Sequence, residues 1–240
     1  MISSKDPSEK NEGVAAVDRA LRITIALANA HQALTLTELS QAIGMYKSTL
    51  LRLLSSLLRA GLVTQHSDKK YALGPLAFLL GQSFEHTHGL QATLRPILQW
   101  LIEQGTESPS FHVRHDETQR ICLIRIDSNH STLDRVRTGD LLPLARGAAG
   151  KVITTLEKSV PKKCITNEDL VFTSFGERDP LCGAVAAPVF GPSATLLGAI
   201  SVSGPLERFS ELAVKRMAAL VLTAARRATE ELAGTWPQID

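Results

Sequence analysis

The segment TLTELSQAIGMYKSTLLRLLSSLLRAG, residues 35–61, constrains the fold more than any other part of the chain. Thr35 and Glu38 stand at the spacing of a capping box, in which two side chains satisfy the free backbone N–H groups at a helix start. Leu36, Leu39 and Ile43 give the short helix that follows an inward face, and Gly44 ends it. A second helix runs from Lys47 to Gly61, which sits where a helix C′ glycine belongs. Leu50, Leu53, Leu54, Leu57 and Leu58 form its apolar stripe, while Ser48, Arg52, Ser55 and Arg59 recur at helical spacing on the opposite side. Such a helix docks by one face and leaves a basic face open.

The flanking residues extend this pattern. Val14, Val17, Leu21, Ile25 and Ala28 have the spacing of an amphipathic helix and are expected to face the core. On that helix Arg19 and Arg22 are available to a phosphate, and Arg19 equally to Asp18 or a partner subunit. Downstream, LVTQHSDKKYAL reads as two short strands, Leu62–His66 and Lys70–Leu73, joined by a polar tip. Helix, capped short helix, glycine turn, helix and basic hairpin make a winged helix-turn-helix over residues 14–74, after a polar, disordered tail at 1–13.

Gly74-Pro75 marks a boundary, followed by a linking helix over 75–89 and a second domain over 90–235. That domain opens with a helix in which Pro96 either makes a kink or lies in the first turn. Strands are predicted at Ser110–Arg114, Ile121–Asp127, Leu133–Val136, Ala184–Phe190 and Leu196–Ser203, and helices near Ala148–Leu156 and Glu207–Leu232. The fold class is therefore α+β, with a mainly antiparallel sheet in the second domain.

Charge is distributed unevenly. Net charge is only +2, but Lys47, Arg52, Arg59, Lys69 and Lys70 face the single acid Asp68 between Gly44 and Leu73. That local excess suits an anionic partner. The B-DNA major groove admits one α-helix, whose N-terminal residues reach base edges. Arg52 is suited to guanine; Lys47, Ser48, Thr49, Ser55 and Arg59 complete the face, and Lys69 and Lys70 on the hairpin suit the phosphate backbone or the minor groove. Double-stranded operator DNA is the partner this implies.

Other chemistries find little support. ARGAAGKV ends in Gly-Lys but has Ala145 and Val152 where a phosphate loop needs glycine and a hydroxyl, leaving a small-residue turn whose N–H groups could hold a small anion. His112 and His115 would lie on opposite faces of a strand and His86 and His88 would diverge on a helix, so no metal or other cofactor is expected. Cys122, Cys164 and Cys182 are far apart and read as small semi-buried hydrophobes. Neither GxSxG nor HExxH occurs, so no catalytic residue is assigned. The polar N-terminus has no signal-peptide core and no apolar run is long enough for a bilayer, so a soluble, cytoplasmic protein is expected.

VDRALRI, LTLTELSQAIGMYKSTLLRLLSSLLRAGLV, KKYALGP, LPLARGAAGKV, GERDP, AAPVFG and ISVSGPLERF, in this order, resemble the IclR-type family of bacterial transcription regulators. The resemblance runs from about Val14 to about Leu232. It implies a winged helix-turn-helix joined by a linking helix to a GAF-like effector-binding domain, acting as a homodimer or homotetramer on palindromic operators. It also implies an effector pocket formed by Arg146, Gly147, Ala148, Ala149, Ser174, Ala184, Ser201 and Ser203, with Glu177 and Cys182 nearby. Ser201 and Ser203 alternate on one strand and so share a face. The chain departs from the family where Ala145 replaces a frequent histidine, and where the stretch from Lys151 to Glu177 is shorter by about a helical pair. Arg146 suits either an acidic effector or a pairing with Glu177. An arginine with two serines suits a carboxylate or phenolic small molecule. Two rival readings are an enzyme acting on a small acid through Cys182 or Arg146, and a protein-interaction module.

Overall fold

The computed structural model describes residues 13–30, 32–157 and 166–237, with the side chains of 86–88 excepted. The predicted tail up to residue 12, the reading of Cys164 and the divergence of His86 and His88 lie outside the described residues. The chain divides into two compact units at His88/Gly89.

The first unit contains α1 (Ala15–Ala30), α2 (Leu36–Ile43), α3 (Lys47–Arg59), β1 (Val63–Gln65), β2 (Tyr71–Leu73) and α4 (Pro75–His88). The Thr35 hydroxyl accepts from Glu38 N–H while the Glu38 carboxylate accepts from Thr35 N–H, so the capping box is complete. Gly44 takes a left-handed φ of 64° after α2. After α3, the N–H groups of Gly61 and Leu62 donate to Leu58 O and Leu57 O, both at 3.0 Å. This Schellman motif requires the left-handed Gly61, at φ 73°. Val63 pairs with Leu73 in the hairpin, and Leu34 exchanges two backbone hydrogen bonds with Tyr71, adding a third extended segment at its base.

The core of this unit joins Ile23 and Leu27 of α1 to Leu39 and Ile43 of α2, Leu50, Leu54 and Leu57 of α3, and Val63 and Tyr71 of the hairpin. One expectation is overturned. Val14, Val17, Leu21, Ile25 and Ala28 face outward, with Val14 at 68% exposure, and α1 buries its Ile23 and Leu27 side instead. Both sides of α1 are apolar, so periodicity alone could not choose between them; packing against α2 and α3 did.

The second unit contains α5 (Leu90–Glu103), β3 (Ser108–Arg114), β4 (Gln119–Arg125), β5 (Leu141–Pro143), α6 (Ala148–Leu156), β6 (Phe172–Phe175), β7 (Cys182–Phe190), β8 (Leu196–Pro205) and α7 (Glu211–Glu231). Its sheet is antiparallel throughout, in the order β5-β4-β3-β8-β7-β6. Side chains alternate across the pleat, and the two faces have different cores. Phe111, Ile124, Val185, Val189, Ile200 and Val202 pack against α5 and α7, while Ala186, Phe190 and Ala199 pack against Val152, Ile153 and Leu156 of α6. Pro96 lies inside α5 beyond its first turn. Leu133–Val136 is not a strand but part of a long connection from β4 to β5, where Asp134 and Val136 turn inward in place of a regular alternation. β5 and β6 were not predicted; both are short edge strands.

Thr35→Ala removes one half of the reciprocal cap. It should destabilise the first unit by about 1 kcal/mol in a denaturant titration, with little change in the unfolding of the second.

Candidate functional site

Two sites stand out, one on each unit. On the first, Lys47, Ser48, Arg52, Ser55 and Arg59 are exposed and Thr49 is half-buried, while Leu50, Leu54 and Leu57 hold the helix in its core. Leu53 and Leu58 are half-buried at the edges of the stripe. Lys47 Nζ donates to Thr37 Oγ1 at 2.8 Å, which steadies the lysine over the turn between α2 and α3. Arg22 donates to Ile43 O at 2.8 Å, so it stabilises the end of α2. On the hairpin Lys69 is exposed with a left-handed φ of 63°, whereas Lys70 pairs with Asp68 at 3.2 Å. Tyr46, 86% exposed at the N-cap of α3, extends this surface and was not predicted. Its signal in the sequence was an aromatic where a capping Ser, Thr, Asp or Asn is usual.

On the second unit, the face of the sheet beneath α6 holds a small polar cavity of about 30 Å³. Gly147, Ala148, Ala149, Ser174, Cys182, Ala184, Ser201 and Ser203 all line it. The register explains this, since Ser203 pairs with Ala184, and Ala184 with Ser174, in one row across β8, β7 and β6. Arg146 and Glu177 do not line it. The Arg146 side chain is exposed, and Glu177 pairs with Lys151 rather than with Arg146. Hydrogen bonds from Lys151, and lesser ones from Gly147 N–H and Ser174, hold the Glu177 carboxyl below its usual range.

The charged lining residues escaped the sequence reading. Arg120 is 3% exposed and forms no ion pair among the described residues. Its guanidinium donates to Arg146 O at 2.9 Å and to Pro143 O, and its Nε has no partner. Burial, with Arg178 nearby, lowers it to about 10. The loop before α6 closes over this group because Gly147 and Gly150 have no side chains: a Cβ at either would stand 3.3 or 3.1 Å from the guanidinium. Next to the cavity, the Asp134 carboxylate is fully buried: it accepts from Ser203 Oγ at 2.7 Å and pairs with Arg125 and, at 3.4 Å, with Arg178. His112 is buried beside them, its Nε2 2.9 Å from Ser110 Oγ and its Nδ1 unpartnered. Burial, then Arg120, Arg125 and Arg178, push His112 well below its ordinary value, so the ring is neutral at pH 7.

Arg120 and Arg178 line the cavity and no carboxylate among the described residues does, so its wall is electropositive, and the N-terminus of α6 adds to that field. Neither thiol among the described residues is activated: burial raises Cys122 to about 12, and burial followed by Asp179 raises Cys182.

Residues 16–67 match the IclR helix-turn-helix domain, and residues 173–229 match the bacterial transcriptional regulator IclR C-terminal domain. The chain belongs to the IclR-type transcriptional regulators. The regulator is 28% identical to the transcriptional repressor IclR of Escherichia coli (strain K12), over 90% of this chain and 89% of the relative. Its fold matches an IclR-type regulator from Alicyclobacillus acidocaldarius, with a TM-score of 0.72 at 22% identity over 93% and 100% of the two chains. It also matches an IclR homologue from Microbacterium hydrocarbonoxydans in complex with 4-hydroxybenzoate, with a TM-score of 0.71 at 16% identity over 91% and 99%. The family consists of regulators and not enzymes, so the reading of Cys182 or Arg146 as catalytic falls. No helix among the described residues is long and apolar enough to cross a membrane.

His112 gives a pH test. Below about pH 6.5 the unfolded chain binds a proton that the folded ring resists, so stability falls as pH is lowered, by up to about 1.4 kcal/mol per pH unit. His112→Gln should flatten the dependence of the second unit's stability between pH 6.5 and 5 in denaturant titrations.

Proposed function

We propose that the regulator acts as a homodimer or homotetramer on palindromic operator DNA, and that a small carboxylate bound in the cavity of the second unit controls its affinity for that DNA. α3 enters the major groove with Arg52 reading a base, Lys47, Ser48, Thr49, Ser55 and Arg59 flank it, and Lys69 and Lys70 of the hairpin follow the backbone. The support for this pose is an α3 whose leucines are buried and whose basic face is open. Arg52→Ala should cost about 1–3 kcal/mol and relax preference at one base pair. Lys47→Ala should weaken all sequences alike and reduce the salt slope by about 1. Fluorescence anisotropy with operator and scrambled duplexes separates the two outcomes. Unchanged binding in both variants would remove α3 from the interface.

Self-association is supported by the exposed apolar stripe of Val17, Leu21 and Ile25 on α1, with Val14 just before it, and by Phe78, Leu79 and Leu80 on α4. A two-fold dimer places two recognition helices on half-sites about one DNA turn apart. Leu21→Glu should shift the sedimentation profile toward monomer and weaken operator binding at least tenfold, while leaving the fold intact because Leu21 is already exposed.

The observation that carries the effector reading is Arg120, a buried cation with no carboxylate partner among the described residues. A buried charge needs a counter-charge, and a ligand carboxylate supplies one. His112 Nδ1, a bare acceptor if Nε2–H donates to Ser110, suits a ligand hydroxyl. The homologue that holds 4-hydroxybenzoate, a carboxylate with a phenol, supports the same chemistry here. The ligand changes DNA affinity only through its differential affinity for two arrangements of the paired DNA-binding units. Operator binding measured with and without benzoate and 4-hydroxybenzoate tests this; no effect from any small carboxylate would sink it.

A further inference from the structure

Asp134 is a buried acid whose backbone lies on a connection without regular structure. It sits on the connection between β4 and β5, whose ends are tied down where Ser128 N–H donates to Ser108 Oγ at 3.0 Å and where Arg125 N–H donates to Thr138 Oγ1 at 3.1 Å. Between those ties there is no helix or strand. The Asp134 carboxylate reaches inward to Arg125, Arg178 and Ser203, one anionic group received by two guanidiniums and a hydroxyl. That donor set is what a site for a free carboxylate would present.

The surrounding space supports this view. The inner cavity holds about 30 Å³, room for roughly one water molecule. A cleft of about 750 Å³ lies on the other side of Asp134, lined by Leu133, Asp134, Leu181 and Leu206 among others. Cys182 lines both spaces. The segment bearing Asp134 therefore partitions a site large enough for a metabolite from the inner pocket that contains the unpaired Arg120.

We propose that Asp134 is a tethered surrogate for the ligand's carboxylate: it fills the seat made by Arg125, Arg178 and Ser203 in the free protein, and a carboxylate ligand enters by displacing it. Withdrawal of Asp134 merges cleft and cavity and brings the ligand within reach of Arg120. The exchange replaces one carboxylate by another on the same donors, so Arg125 and Arg178 keep a counter-charge throughout. The two anions compete, which sets a threshold: the ligand must reach a concentration that overcomes an intramolecular rival. This inference rests on the cavity's being the effector site.

The test is chemical rescue in the full-length protein. Asp134→Ala empties the seat, and acetate should raise its melting temperature saturably and by more than in wild type, while acetamide at the same concentration should not. Asp134→Asn keeps the size of the side chain but cannot serve as counter-ion, and should bind benzoate at least tenfold more tightly than wild type by calorimetry. Acetate acting no better than acetamide on Asp134→Ala, or benzoate binding Asp134→Asn no more tightly than wild type, would overturn the proposal and leave Asp134 a structural ion pair. If rescue and tighter binding are both seen while no carboxylate alters operator affinity, the surrogate role stands and effector control through this cavity falls.

Discussion

A buried guanidinium with no carboxylate partner among the described residues, Arg120, organises the cavity side of the second unit. It bonds the carbonyls of Pro143 and Arg146, holding the end of β5 and the loop before α6 against the sheet. Gly147 and Gly150 follow from it, since any side chain there would crowd the guanidinium and, at Gly150, meet Leu144 O at 2.2 Å. α6 starts where that arrangement allows, and its apolar side then closes over Ala186, Phe190 and Ala199. The same residue that positions the loop leaves a positive charge facing the cavity.

Each unit joins a conventional core to a polar surface left incomplete. In the first, α3 spends its leucines on the core and keeps Lys47, Ser48, Arg52, Ser55 and Arg59 in solvent. In the second, the sheet gives Phe111, Val185, Ile200 and Val202 to one core and turns His112, Ser201 and Ser203 to the cavity. Alternation along a strand and the helical repeat perform the same separation by different geometry. The incomplete polar face is where function is proposed in both.

Local signals carried much of this. The Thr35–Glu38 box, Gly44, Gly61 and the leucine stripe are each read within a few residues, because capping and helical periodicity depend on near neighbours. Ser201 and Ser203 were legible as one face for the same reason. α1 was misread because both of its sides are apolar, and Leu133–Val136 because a loop that turns Asp134 and Val136 inward has the composition of a strand. Arg120, Arg125 and Arg178 went unnoticed because β4 and the turn before β7 look like ordinary polar positions until a sheet brings them together.

The amino-acid sequence by itself determined the helix-turn-helix, its basic face, the α+β class and the family to which the chain belongs, all through patterns short in range or fixed in order. Tertiary structure alone decided which side of α1 is buried, which arginines meet in the cavity and which acid answers them. Those choices depend on groups far apart in the chain, such as Asp134 and Ser203, whose energies exist only once burial removes water from between them.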